Sequence, residues 1–89
     1  MSVYSISYDL CKPGQNYSSL HEAIKSYGTW ARPLESYWLV VSSKSAVEIR
    51  DHLTKHMDSN DKLLVAKLSG EAAWINLAKD VSDWILKNT

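Results

Sequence analysis

Residues 3–10 read Val3-Tyr4-Ser5-Ile6-Ser7-Tyr8-Asp9-Leu10, and this stretch decides the fold class. Apolar or aromatic side chains alternate strictly with small or polar ones, as expected of a strand with one buried face. The alternation separates two sets of side chains, with Tyr4, Ile6, Tyr8 and Leu10 on one face and Ser5, Ser7 and Asp9 on the other. The sequence therefore predicts a half-buried first strand that ends near a carboxylate, Asp9.

A helix is predicted after the turn-rich segment Lys12–Asn16. Ser19 and Glu22 have the spacing of a capping box, and Gly28 is a helix stop signal. The apolar residues recur at helical spacing and form one stripe: Leu20, Ala23, Ile24 and Tyr27. The sequence therefore predicts that a helix follows the first strand.

The middle of the chain predicts a β-hairpin followed by a second helix. Residues 29–32 and 36–42 are rich in aromatic and β-branched residues, with a turn expected around Pro33, Leu34 and Glu35. Ser45 and Glu48 repeat the capping-box spacing before a second helix. Its apolar face is formed by Ala46, Ile49, Leu53 and Met57.

The last third predicts one more strand and a third helix. The strand covers residues 62–68, and the helix covers about residues 72–87. The apolar stripe of this helix consists of Trp74, Leu77, Ala78, Val81 and Ile85.

This order of elements is the βαββαβ pattern of ferredoxin-like domains with an additional C-terminal helix. The sequence therefore predicts an α+β ferredoxin-like sandwich, as a single domain over residues 1–89. We expect the first and third strands to be central and parallel, with helices on one sheet face. The other face is then suited to dimerisation, to stacking of bases or to cover by the extra helix.

Composition narrows the function classes. The chain has ten basic and ten acidic residues, so no strong positive field indicates a nucleic-acid partner. No segment approaches the roughly 20 apolar residues that a membrane span needs, and we expect a cytoplasmic protein with no membrane partner. The single cysteine, Cys11, cannot form an internal disulfide and is interpreted as a bystander.

Asp9 is the most suggestive position for chemistry. A carboxylate at a strand end can hold a hard cation such as Mg²⁺, which takes oxygen ligands. A second carboxylate is needed, and a symmetric dimer would supply it as the other Asp9. The alternative is that Asp9 accepts backbone hydrogen bonds within its own loop.

Two other patterns have structural alternatives. His52 and His56 have the spacing of a zinc-binding pair but lack a recognisable third ligand, so a solvated helix face is the simpler interpretation. Trp30, Arg32 and Trp38 could stack bases and contact phosphate, but packing explains these aromatic residues equally well. His21 is interpreted as a surface residue without a partner.

The first strand ending in Tyr8-Asp9, followed by the Lys12–Tyr17 segment, resembles the SinR-like branch of a superfamily. This superfamily contains CRISPR-associated protein two and virulence-associated protein D. The resemblance implies a homodimer in which Asp9 binds Mg²⁺ and acts in cleaving RNA or DNA. Lys12 and Arg32 are the candidate nucleic-acid contacts. A non-catalytic interaction module and a small toxin ribonuclease stay open as alternatives.

Overall fold

A computed structural model of the chain describes residues 1–11 and 17–89. Its elements follow the predicted order: β1 (Ser2–Asp9), α1 (Ser18–Lys25), β2 (Trp30–Leu34), β3 (Tyr37–Ser42), α2 (Ala46–Thr54), β4 (Lys62–Lys67) and α3 (Lys79–Asn88). The chain is therefore an α+β protein with a four-stranded sheet and three helices in its described part.

The sheet has the strand order β2-β3-β1-β4, and all neighbouring strands are antiparallel. The first and third strands are central, as expected, but the expectation that they are parallel is wrong. Helices α1 and α2 each connect two strands that lie on either side of a third: α1 connects β1 and β2 around β3, and α2 connects β3 and β4 around β1. The crossover makes β1 and β2 parallel, and the hairpin return then makes β3 antiparallel to β1.

The main core lies between one sheet face and the first two helices. Tyr4, Ile6 and Tyr8 of β1 are buried there, which confirms the face predicted from the alternation. The predicted stripes are also confirmed: the buried helix residues of this core are Leu20, Ala23 and Ile24 on α1 and Ile49 and Leu53 on α2.

The hairpin turn begins two residues later than expected. Leu34 pairs with Tyr37, so Glu35 and Ser36 form the connection and Pro33 belongs to β2. Proline is tolerated there because β2 is an edge strand, where a missing N–H leaves no sheet hydrogen bond unmade.

The third helix is shorter than predicted. It begins at Lys79, whereas the segment expected to form its first two turns is irregular and has Asn76 at a positive φ of 62°. The apolar residues of this segment do not need helical geometry to cover the sheet. Trp74 packs back onto α3, where its indole N–H donates to the Ser82 hydroxyl at 2.6 Å.

The segment after β4 and helix α3 cover part of the second sheet face. Ile85 of α3 is buried, and so are the strand residues Ser5, Ala31 and Leu39, which share this face by their register. The other end of this face is less covered: four of its residues are exposed and Ser7 and Tyr37 are half-buried, and Leu34 and Tyr37 also line a cavity beside the segment after β4. We call this end the open face, and it consists of Ser7, Asp9, Leu34, Tyr37, Lys62 and Leu64. None of the described helices is long and apolar enough to span a membrane.

Candidate functional site

Asp9 is the last residue of β1 and is exposed on the open face. It pairs in the sheet with Lys62, and both residues border a shallow depression of about 280 Å³ that Ser7 and Leu64 also line. Among residues 1–11 and 17–89, no side chain or N–H makes a hydrogen bond or ion pair with the Asp9 carboxylate. This carboxylate is therefore available to a ligand.

A different carboxylate holds the loop that follows β1. The Cys11 N–H donates to Oδ1 of Asp61 at 2.8 Å, and the Tyr17 hydroxyl donates to the same oxygen at 3.2 Å. The Asp58 N–H donates to Oδ2 at 2.8 Å. Since Cys11 and Tyr17 flank residues 12–16, Asp61 ties both ends of this segment to the turn before β4.

These hydrogen bonds explain the acidity of Asp61. Donation from the Cys11 backbone is the main reason that its pKa falls from 3.8 to about 2, although partial desolvation opposes the shift. The sequence indicated only a helix end at Asp58 to Asp61. Asp residues in turns often accept nearby N–H groups, so the local contact to Asp58 was predictable, whereas the contacts to Cys11 and Tyr17 span 50 and 44 residues.

One group of three potential metal-ligand side chains occurs in the described part of the chain. It comprises Cys11, Asp58 and Asp61, whose ligand atoms lie within 4.8 Å of one another. It does not include Asp9. Both carboxylate oxygens of Asp61 already accept hydrogen bonds, so the observed geometry of this group is explained by its role in holding the loop.

Of the two predicted nucleic-acid contacts, only Arg32 lies in the described residues, and the structure does not bring it together with Asp9. Lys12 lies outside the described residues. Arg32 is exposed on β2, where it points to the helix side of the sheet and packs on Trp38, while Asp9 lies on the open face with β3 between the two strands. The cation that shares the face of Asp9 is Lys62, which the sequence analysis missed because its strand partner was unknown.

Trp38 is a core residue, with only 1% of its surface exposed, so packing rather than base stacking explains it. Its indole N–H donates to the Tyr8 hydroxyl at 3.0 Å, and this hydroxyl lies 3.3 Å from Nε2 of His21. The interpretation of His21 as a surface residue without a partner is therefore wrong. Burial and then the charges of Arg32 and Lys25 lower its pKa below the usual 6.5, while Glu22 opposes them.

His52 and His56 are also more than a solvated helix face. Nδ1 of His52 lies 2.8 Å from the Tyr27 hydroxyl, and the two imidazole centroids are 5.8 Å apart. Burial and then the charge of His56 lower the pKa of His52. Within the part of the chain that the structure describes, no third ligand joins the pair, and the contact to Tyr27 links α2 to the end of α1.

No protein-family model matches this sequence.

Proposed function

We propose that this protein is a homodimeric nuclease of the SinR-like branch that hydrolyses phosphodiesters in RNA or DNA with the help of Mg²⁺. In this proposal, Asp9 and Asp9 of the partner subunit hold one ion between them. The observation that carries it is the exposed Asp9 carboxylate, which has no protein partner in the described residues. In the described residues, Asp61 rather than Asp9 accepts the hydrogen bonds that hold the two ends of the following loop.

The strand order supports a ferredoxin-like fold. Two strand-helix-strand units are interleaved in the order β2-β3-β1-β4, and each unit skips one strand. This arrangement is expected of a split β-α-β domain, and α3 adds cover on the second face.

The open face supports the proposed dimer. It exposes 64% of Leu64 and 58% of Leu34, which gives a partner subunit apolar area to cover. A two-fold axis through this face would bury the leucines of both copies and bring the two Asp9 residues towards each other.

The chemistry follows from the ligand type. A carboxylate pair suits Mg²⁺, which would polarise the scissile phosphate and make a bound water more acidic. Asp9 contributes the negative charge that holds the ion. Lys62, on the same face, contributes a positive charge that would attract the phosphate group of the substrate.

Asp9→Asn tests this proposal directly. We expect at least a ~10-fold loss of Mg²⁺ or Mn²⁺ affinity, measured by isothermal titration, because an amide replaces the charged ligand. Metal-dependent cleavage of labelled RNA and DNA should fall with it. Asp51→Asn, which removes an exposed carboxylate on α2, should change neither measurement. Cleavage that needs no metal, or that survives Asp9→Asn, would show the mechanism to be wrong.

A non-catalytic interaction module is the second candidate. The observation that favours it is that, among residues 1–11 and 17–89, no group of three potential metal-ligand side chains includes Asp9. Under this function, purified protein would cleave neither RNA nor DNA with any divalent metal, while it would still bind a partner. Asp9→Asn would then leave partner binding intact.

A further inference from the structure

A second surface lies on the helix side of the sheet, at the edge formed by β2. We call it the basic aromatic face, and it consists of His21, Lys25, Trp30 and Arg32. Three of these side chains pack around the buried Trp38: the rings of Trp30 and His21 lie 5.2 and 5.6 Å from its ring, and the guanidinium of Arg32 lies 4.9 Å from it.

The face is held in place by contacts to the core. Trp38 is fixed through its hydrogen bond to Tyr8, so it provides a rigid base for the residues above it. Arg32 donates from Nε and Nη2 to the Glu35 carbonyl oxygen at 2.9 and 2.6 Å. Ordering of these side chains therefore costs little additional entropy when a ligand binds.

The charge of the face is positive. Lys25 Nζ lies 5.3 Å from the centre of the Trp30 ring, so cations lie on this indole and on the neighbouring Trp38. The carboxylate of Glu22 lies 3.7 Å from Lys25, but both side chains are exposed and such pairs are weak. Glu35 meets Arg32 through its backbone carbonyl, so its carboxylate does not neutralise the guanidinium in this contact.

We infer that the basic aromatic face binds single-stranded nucleic acid. One base stacks on the exposed part of Trp30, which has 37% of its surface accessible, and the adjoining phosphates contact Lys25 and Arg32. A single strand fits better than a duplex because the bases of a duplex already stack on one another and cannot reach an indole. This inference goes beyond the proposed function, since the site needs neither a metal nor Asp9.

The inference predicts how substitutions change binding of a fluorescently labelled 12-nucleotide single strand, measured by anisotropy in EDTA to prevent metal-dependent cleavage. Trp30→Leu keeps apolar packing on Trp38 but removes the indole, and it should weaken binding by roughly 5- to 100-fold. Lys25→Gln and Arg32→Gln should each lower the slope of log affinity against log salt by about 0.7. Lys87→Gln, an exposed cation on α3, is the matched control and should leave both quantities unchanged.

Two results would overturn the inference: equal or tighter binding of a blunt duplex of the same length, or unchanged affinity in Trp30→Leu that melts like the wild type. The binding experiment and the cleavage experiment can fail independently of each other. Strand binding without metal-dependent cleavage would defeat the proposed function and leave this surface intact. If cleavage depends on Asp9 but Trp30→Leu does not change the affinity for the single strand, the proposed function would stand and the binding role of this surface would be wrong.

Discussion

Asp9 and Asp61 lie close to the same loop but have different roles. Asp9 is exposed with no protein partner in the described residues, whereas Asp61 accepts hydrogen bonds from Cys11 and Tyr17, on the two sides of residues 12–16, and from the N–H of Asp58. A carboxylate that is satisfied by N–H and O–H donors stabilises the folded chain. An exposed one without such donors adds little to stability.

Asp61→Asn should therefore destabilise the protein, because an amide accepts weaker hydrogen bonds and one of its two polar atoms is a donor. The folded pKa of about 2 lies below the unfolded value of 3.8. The stabilisation is thus complete above pH 3.8 and is lost as the pH falls through about 2. Thermal melting should show a lower Tm for the variant at pH 7 and a difference from wild type that shrinks below pH 4.

Asp51→Asn is the control for this measurement, because Asp51 is exposed and, among residues 1–11 and 17–89, its carboxylate bonds only to its neighbour Arg50. Its Tm should stay close to that of the wild type across the same pH range. A wild-type Tm at pH 7 in Asp61→Asn would contradict the loop-holding role.

The residues found from sequence alone are those whose signal is local. The position of Asp9 follows from a period of two along eight residues, which any half-buried strand repeats. The hydrogen bonds of Asp61 to Cys11 and Tyr17, and the one between Tyr8 and Trp38, join residues 30 or more positions apart. Such contacts depend on how the strands are ordered, and one sequence carries no direct record of that order.

At the scale of elements, the two capping-box patterns have different outcomes. Ser45 caps α2: its hydroxyl accepts the Glu48 N–H, and the Glu48 carboxylate accepts the Ser45 N–H. Ser19 does not cap α1, because the helix begins at Ser18 after Tyr17, which is buried and bonded to Asp61. Tertiary packing of Tyr17 thus fixes where α1 begins, against the local pattern.

Because only Ser45 caps its helix, the same serine-to-alanine substitution at the two positions should change the free energy of unfolding by different amounts. Ser45→Ala should lower the free energy of unfolding by about 1 kcal/mol, since it leaves an N–H of the first turn unsatisfied. Ser19→Ala should be neutral or slightly stabilising, because alanine favours an exposed helical position. Urea denaturation of both variants measures the difference directly. An equal loss in the two variants would mean that Ser19 also caps its helix.

The third helix shows that an apolar stripe predicts which residues contact the sheet better than it predicts whether their backbone is helical. The spacing of Trp74, Leu77 and Ile85 predicted their common face, and all three line one cavity over the second sheet face. Only Ile85 of the three is helical. Periodicity reports which residues face the core, while Asn76 in its left-handed conformation interrupts the helix within the stripe.

At the scale of the whole molecule, the two sheet faces have different surroundings. Helices α1 and α2 cover one face completely enough to bury Ile6 and Val40, whereas α3 and the segment before it cover only part of the other. The sequence could predict that this second face needed cover, but not where the cover would stop. Asp9 and Leu64 both lie at its less covered end. The proposed metal site and the proposed dimer interface are therefore on the same surface.

Leu64→Gln tests this connection without changing the charge near Asp9. If two copies bury this leucine symmetrically, the substitution acts twice and costs on the order of 1 kcal/mol per copy, so dimer affinity should fall by roughly 30-fold or more. Sedimentation equilibrium measures this change, with Leu86→Gln on α3 as the exposed control. Mg²⁺ affinity should fall with the dimer, because each subunit supplies only one Asp9. A monomeric wild type, or full metal binding by a monomeric Leu64→Gln, would separate Asp9 from any shared site.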